Sequence, residues 1–413
     1  MIDRERNRRG YLDQFSGWTR PPASVGLRSR LWVEAALRIA AQIALIPLTV
    51  LVALIMTLGL RLSLGSKRSP IPSMIHDDAT LFVADLAEQY PFHLYPLVAK
   101  ALELAYLRRQ FGPAGRVASE SRVVEVAIGE GSLSARVFGP DAQVTGLDLN
   151  PHSLAFAARL GHVRRAIVCD GIEPPIRPRS FDALLSANFL HHVTDKKRAI
   201  TSWSAIARTL VFNDNTLYWA SSWTVPRVLT FLGLRRLAVR AARGIEARSL
   251  QHLESRPELD REIAAVCDVI ESVSFFSARS FFLCSLFSFL MRCFGPPTPA
   301  VLKRIFLGPL RPIAIPLTTL LARQILELDR RQDRSTDTYV FYVCRSREAW
   351  PSTTDEALLC PECRSPLDGR RCGACGASYP FADGMLFVLP KRWAYLFDDY
   401  TSSRAARVPA QHL

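Results

Sequence analysis

Between Val123 and Val193 the apolar positions of this chain fall into four short runs that follow one another. Val123–Ile128 ends in Gly129-Glu130-Gly131. A second run ends at Asp148, a third at Asp170, and a fourth extends from Phe181 towards Asn188. Short apolar runs closed by glycines or acids predict fully buried strands, and the helical spacing between them predicts crossover helices. Four such strands with polar groups at their carboxyl ends predict an open parallel sheet with a ligand crevice along that edge. Helical spacing in His93–Phe111 predicts a helix leading into the first strand, and Lys196–Leu210 another after the fourth. Asn215–Ala220 (NTLYWA) is assigned to the fifth strand. Thr338–Cys344 (TYVFYVC) alternates as a closing strand should, with Val269–Phe275 (VIESVSF) as its candidate neighbour.

The ligand is argued from details of these runs. Glycines at 129 and 131 let a ligand approach the backbone closely, but a Gly-x-Gly turn alone would suit a dinucleotide equally well. Two features argue for something else. Glu125 lies inside the first strand, where a dinucleotide site carries an apolar residue, and Ser134 stands where the third glycine of that fingerprint belongs. An acid at 125 suits a ligand with a cationic amino-acid end and no pyrophosphate. Asp148 is placed to accept both hydroxyls of a ribose, and Asp170-Gly171-Ile172 to bond an adenine amino group and cover its ring.

These residues resemble the class I S-adenosylmethionine-dependent methyltransferase family. Its glycine motif corresponds to Glu125-Val126-Ala127-Ile128-Gly129-Glu130-Gly131, its ribose acid to Asp148, its adenine acid to Asp170, and its post-fourth-strand segment to Ser186–Val193. Ala127 departs from the pattern, because the family usually has glycine there. The likeness runs from about Arg122 to Trp223. It implies a Rossmann-like α/β fold built on a seven-stranded sheet, with S-adenosylmethionine as cofactor. The cofactor-binding set it implies is Glu125, Ala127, Gly129, Gly131, Asp148, Leu149, Asp170, Gly171, Ile172 and Asn188. The opposing possibility is a scaffold of the same fold that no longer binds cofactor.

The chain has 413 residues and a net charge of +14, so there is room for two or three domains and an acidic surface is an expected neighbour. The excess is mostly arginine spread along the chain, without the dense basic and aromatic runs that track a nucleic-acid strand. Nucleic acid is therefore less favoured than an anionic lipid surface. Residues 39–60 (IAAQIALIPLTVLVALIMTLGL) carry no charge, and a helix of that length crosses the roughly 30 Å of bilayer hydrocarbon. A membrane helix is thus expected at 37–64, behind a basic tail at 1–36, unless the run is a helix buried in the soluble domain. Arginines on both sides leave its orientation open, and Pro47 permits a kinked, re-entrant alternative. Cofactor supply puts the catalytic domain on the cytoplasmic side of the membrane.

The methyltransferase domain is expected at 75–346 with two insertions. The first, about 225–268, is arginine-rich and helical in pattern. The second, about 276–329, holds FFLCSLFSFLM, a GPPTP turn and IFLGPLRPIAIPLTTLLA. Neither apolar run is long enough to span a bilayer alone, and both ends of the insertion belong to one sheet. An interfacial hairpin fits these constraints, and a helical cap on the domain's own core is the alternative.

Cys360-Pro361-Glu362-Cys363 and Cys372-Gly373-Ala374-Cys375 form two CxxC pairs, the donor set of a closed, structural tetrahedral zinc site. With the strand–turn–strand pattern of SYPFADGMLFVLP they predict a small β zinc ribbon at 356–392, followed by a tail at 393–413. This region resembles the zinc-ribbon family of methyltransferase activators. Of the remaining groups, His191 and His192 sit just beyond the fourth strand, where one of them can take a proton from an acceptor. The reading that uses the apolar segments together is a membrane-associated methyltransferase with a hydrophobic or lipid-linked acceptor. An RNA methyltransferase, and a membrane-tethered interaction module with a vestigial cofactor site, are the alternatives; the oligomeric state is not legible.

Overall fold

A computed structural model of the protein describes residues 73–87, 94–111, 117, 121–138, 143–249, 251–293, 300–330, 337–348, 350 and 357–405. The basic tail at 1–36 and the apolar segment at 37–64 lie outside the described residues. The four apolar runs form strands where the sequence puts them: β1 (Val123–Val126), β2 (Val144–Asp148), β3 (Arg165–Val168) and β4 (Phe181–Ser186). They pair in parallel, Val124 standing opposite Thr145 on one side and Leu184 on the other, with Leu147 opposite Ile167. Parallel neighbours need crossovers, and the helices Ser132–Phe138, Pro151–Arg159 and Lys196–Ile206 supply them. Each of the last two starts on a cap. Asn150 Oδ1 accepts the N–H groups of His152 and Ser153, and Asp195 Oδ1 accepts that of Arg198.

The fifth strand departs from expectation. The helix from Lys196 stops at Ile206, and β5 is Ala207–Asn215, paired in parallel with β4 through Leu210 opposite Leu184. The stretch assigned to this strand instead turns into one helical turn, Tyr218–Ser221. The physical reason lies at the end of β5. Its last residues, Asn213, Asp214 and Asn215, are buried but polar, so hydropathy does not mark the run as a strand and the helical reading from Lys196 continues to Leu210.

Strands β6 (Cys267–Ser277) and β7 (Asp337–Ser346) bear out the two edge candidates. After the two-residue hairpin strands β8 (Leu367–Asp368) and β9 (Arg371–Cys372) come β10 (Phe381–Ala382) and β11 (Met385–Phe387). The main sheet has nine strands in the order β10-β11-β3-β2-β1-β4-β5-β7-β6, in place of the expected seven. The addition comes from the C-terminal β unit: β11 pairs in parallel with β3, and β10 antiparallel with β11, which makes the sheet mixed. Strand order reverses between β1 and β4, the switch point at which ligands enter sheets of this kind.

The described residues fall into two compact units. One contains residues 107–216, 251–273 and 340–405, and its core is built on Val124, Val126, Leu147, Ile167, Phe181, Trp203 and Phe212. The other contains residues 73–106, 217–249 and 274–339. In this second unit Asp329 is fully buried and ties three segments together. It accepts the N–H groups of Ser277 (2.6 Å) and Phe276 (3.2 Å) and lies 3.1 Å from His76 Nε2. Phe281, Cys284, Leu321, Ala322 and Ile325 are buried as well, so the described ends of the second insertion pack within their own unit.

Among the described residues no helix is long and apolar enough to cross a membrane. The expected membrane localisation, with its cytoplasmic catalytic side, is corrected on that finding. The helix Ala278–Cys293 has 16 residues, a rise of about 24 Å against the roughly 30 Å required. The 31-residue helix Ala300–Arg330 is interrupted in sequence by Lys303, Arg304, Arg311, Arg323 and Glu327. At the other end of the chain, the expected tail at 393–413 contains a helix, Tyr395–Ala405.

Candidate cofactor site and four-cysteine centre

The site is assembled at the carboxyl ends of β1 to β4, all within one unit. β1 runs directly into a turn in which Ala127, Gly129 and Gly131 all take the left-handed conformation, with φ of 56°, 58° and 67°. Gly131 has a packing reason for lacking a side chain, because a Cβ there would lie 2.9 Å from His162 Cβ. Gly129 differs: a Cβ there would meet no protein atom within 4 Å. This turn therefore presents open space to a ligand while its backbone stays close at hand. Glu125 is buried on β1 opposite Gly146 and Leu185. The hydroxyls of Ser134 and Ser186 are buried close in sequence to the turn and at the end of β4, with no hydrogen-bond partner among the described residues.

Asp148 ends β2 with both carboxylate oxygens fixed. Oδ2 accepts the Gly129 N–H at 2.7 Å and Oδ1 the Asn150 N–H at 2.7 Å. Burial pushes its carboxyl above the usual range, while the N–H groups of Asn150, Gly129 and Leu149 pull it back. These N–H groups fix the orientation of the carboxylate, and an oriented carboxylate is an acceptor that suits ribose hydroxyls. Asp170 follows β3, and its Oδ1 accepts the Ile172 N–H at 3.0 Å. Gly171 is pinned from behind: its carbonyl accepts Trp203 Nε1–H at 2.8 Å, and a Cβ on it would lie 2.7 Å from Val126 Cγ1. Asn188, also left-handed at φ 58°, donates its backbone N–H to Asn213 Oδ1 at 2.5 Å. The structure thus gathers Glu125, Ala127, Gly129, Gly131, Asp148, Leu149, Asp170, Gly171, Ile172 and Asn188 along one edge of one sheet. The orphaned hydroxyls, the open turn and the oriented carboxylate fit a polar, ribose-bearing ligand.

His191 and His192 occupy a short 3-10 turn after β4, with ring centroids 4.4 Å apart. They are not equivalent. His191 is buried, with Nδ1 3.2 Å from Asp214 Oδ1, whereas His192 is half-buried. Asp214 Oδ2 lies 2.9 Å from Lys196 Nζ, and neither of those side chains has any exposure. Lys196 Nζ also donates to the His252 carbonyl at 2.8 Å and lies 3.7 Å from Glu254 Oε2.

Residues 124–209 match the family model described as "Methyltransferase domain". Residues 124–209 therefore carry a methyltransferase domain, as the resemblance implies. No curated protein matches it. Among solved structures, it is similar to geranyl diphosphate C-methyltransferase from Streptomyces coelicolor A3(2), at 14% identity over 67% of this chain and 86% of that one, with a TM-score of 0.37. It is also similar to the [4+2]-cyclase SpnF, at 13% identity over 65% and 97% with a TM-score of 0.37. A third likeness is to Haemonchus contortus phosphoethanolamine N-methyltransferase 2, at 15% identity over 60% and 53% with a TM-score of 0.36.

The four cysteines lie together. Their sulfurs are all within 4.8 Å of one another, Cys360 to Cys375 at 3.5 Å and Cys363 to Cys372 at 3.4 Å. Such spacings are far too long for disulfide bonds, which need about 2.05 Å, and near the roughly 3.8 Å expected between thiolates on a tetrahedral ion with 2.3 Å bonds. Backbone and hydroxyl donors of Ser365 hold the Cys363 thiol down to about 6, and the Cys360 sulfur has Tyr379 Oη at 3.0 Å. This unit grips the cofactor segment at two points. Val388 N–H donates to the Val168 carbonyl beside the β11–β3 pairing, while the Leu359 and Arg177 N–H groups bond the carbonyls of Pro175 and Ala357. The Asp170–Ile172 segment lies in sequence between these two attachments.

Asp214, Lys196 and Asn213 were not legible from sequence. A lysine just after a capping aspartate reads as a solvated helix start, and only the fold delivers its buried partners. Ala127 offers a direct test of the turn. A left-handed alanine costs roughly 1–2 kcal/mol, and the greater freedom of glycine in the unfolded chain returns about 0.4–1 kcal/mol of that. Ala127→Gly is therefore expected to raise the unfolding free energy by about 0.5–1 kcal/mol without weakening S-adenosylmethionine binding. Chemical denaturation and calorimetric titration check both parts, and a less stable variant would show that the methyl group is needed for packing.

Proposed function

We propose that this methyltransferase transfers its methyl group to an apolar, lipid-like acceptor. The observation that carries this reading is the surface of the helices Thr224–Phe231 and Arg235–Arg248, in the unit that does not hold the cofactor residues. Val228, Phe231, Leu232, Leu234, Leu237 and Val239 are exposed there, Phe231 to 90%. Apolar side chains clustered on a surface mark a place where apolar material binds. Arg227, Arg235, Arg236 and Arg240 are interspersed among them, which suits an acceptor with an acidic head.

In this reading Asp148 accepts the ribose hydroxyls, and Asp170 with Ile172 holds the adenine. Glu125 and Asn188 face the amino-acid end, with Ala127, Gly129 and Gly131 giving the backbone close access. When bound, S-adenosylmethionine supplies a methyl group already activated on a sulfonium. The chain's task is then to align the acceptor, exclude water and, for a hydroxyl or carbon acid, remove a proton. The histidine turn after β4 serves that last role.

The test is methyl transfer from labelled S-adenosylmethionine into total lipid extract and total RNA, with Asp148→Ala as control. Label in a lipid band that disappears in the control supports the reading and identifies the acceptor pool. Label in RNA overturns it and makes the basic surface and the four-cysteine unit substrate-binding elements.

The four cysteines hold a structural zinc ion in this proposal, closed to substrate because all four ligands are protein thiolates. Structural zinc contributes folding energy directly, so its removal releases both attachments that flank Asp170–Ile172. Stripping the metal with a chelator is expected to weaken S-adenosylmethionine binding about tenfold, roughly 1.4 kcal/mol, and to speed amide exchange in 166–172. Titration calorimetry and hydrogen exchange read the two effects. Unchanged exchange after verified metal loss would refute the bracing role.

A further inference from the structure

The proton-removing role rests on the reading above, and the structure carries it one step further by separating the two histidines. A histidine acts as a base only when its free nitrogen faces the acceptor, so something must decide which nitrogen keeps the proton. In His191 the enclosed nitrogen is Nδ1, which lies at ion-pair distance, 3.2 Å, from Asp214 Oδ1 without the alignment of a hydrogen bond. Asp214 is itself immobilised. Its Oδ1 accepts the Asn215 N–H at 2.9 Å, and its Oδ2 is 2.9 Å from the Lys196 ammonium. Lys196 is anchored in turn by the His252 carbonyl, and the His252 N–H donates to the His191 carbonyl at 2.6 Å. The loop is closed: backbone of 191, backbone of 252, Lys196, Asp214, and back to the ring of His191. Glu254, 3.7 Å from Lys196 Nζ, and His192, its ring tilted by 49° to that of His191, are further titratable groups facing this cluster.

We propose that Asp214, held by Lys196, is the positioning residue that fixes His191 in the Nδ1-protonated tautomer and leaves Nε2 as the proton acceptor on the substrate side. The desolvation of a fully buried lysine and aspartate is expensive, and an apolar pair would stabilise the fold as well or better. A fixed carboxylate behind an imidazole is the return for that cost. The step itself balances simply. His191 Nε2 takes the proton from an acceptor O–H or C–H as the acceptor's electron pair forms its bond to the methyl carbon. The carbon–sulfur pair leaves with the sulfur, and the imidazolium later gives its proton to solvent.

The experiment uses the full chain with its metal, labelled with ¹⁵N-histidine, and reads ring nitrogens by long-range ¹⁵N–¹H correlation at neutral pH. His191 is assigned from the signal lost in His191→Gln. The wild type is expected to show His191 with a protonated Nδ1 and a bare Nε2. In Asp214→Asn, which keeps the size but can offer an N–H to the ring, the opposite tautomer is expected to appear. A wild-type His191 protonated on Nε2 overturns the proposal even if no variant folds, as does a tautomer that Asp214→Asn leaves unchanged. Methyl transfer into the lipid extract is measured on the same proteins, with a loss of about 100-fold or more expected for His191→Gln and Asp214→Asn. If His191→Gln retains full transfer while the tautomer behaves as stated, the base role falls and the positioning geometry stands. If transfer is lost in Asp214→Asn with the tautomer unmoved, the positioning role falls and the base role stands.

Discussion

Asp148→Asn is expected to make the unliganded protein more stable while nearly abolishing cofactor binding. Both halves follow from the same carboxylate. Burial raises the Asp148 carboxyl above its ordinary value of 3.8 in spite of the three backbone N–H groups around it. A folded-state value raised above the unfolded one means that the folded chain holds the proton more tightly. That contribution to stability is fully present below the ordinary value and is lost as pH rises through the raised one. At neutral pH the ionised carboxylate therefore costs the empty fold stability, and an uncharged amide removes the cost. Binding runs the other way. In the proposed reading two ribose hydroxyls donate to this charged acceptor, each contributing about 1.5–3 kcal/mol, so losing them weakens S-adenosylmethionine binding by at least about 100-fold. In the wild type, affinity should also fall on acidification, beginning above the ordinary aspartate range. Thermal unfolding without ligand, and calorimetric titration across pH, read the two signs separately. A variant that loses both stability and binding would mean that the N–H bonds of Gly129 and Asn150 to the carboxylate outweigh its desolvation.

This split between stability and binding explains which parts of the site were legible in the chain. The residues assigned to the ligand in the proposed reading violate local rules, and such violations show in sequence: Glu125 inside an apolar strand, glycines where a strand meets a helix, Asp148 and Asp170 closing apolar runs. The first four strands were read correctly for the same reason, because their flanks are punctuated by these residues. Residues that serve other residues leave no such mark. Asn213, Asp214 and Asn215 end β5 in the protein interior, and their partners Asn188, His191, Lys196 and Gln251 come from three other segments. Without those partners, the run looks like a surface loop, which displaced the fifth strand to Asn215–Ala220. The nine-stranded sheet was hidden for a related reason. The pattern around Met385–Phe387 announces a strand, but nothing local announces that its partner is β3, more than two hundred positions earlier in the chain.

Lys196 is the residue whose removal should cost the fold most. Its ammonium has no exposure and lies between Asp214, also fully enclosed, and the more open Glu254. Lys196→Met keeps the volume of the stem and deletes the charge, which leaves a carboxylate buried with no cation against it. Breaking a buried pair from one side costs about 3–5 kcal/mol, against a total stability that in most domains is only about 5–15 kcal/mol. The variant is therefore expected to be marginal at ambient temperature. Adding Asp214→Asn to it should restore most of the loss, because the carboxylate that needed the cation is then gone and the amide can still bond its neighbours. That recovery is the informative result. It separates an uncompensated charge, which the second change cures, from a packing defect, which it cannot. Denaturant unfolding of the two single variants and the double one measures the coupling as a mutant cycle. Additive losses would mean that Lys196 holds the His252 segment in place and has little to do with Asp214. Recovery of fold without recovery of the wild-type His191 tautomer would show that the ion pair is retained for the orientation of the imidazole, since stability alone can be had without it.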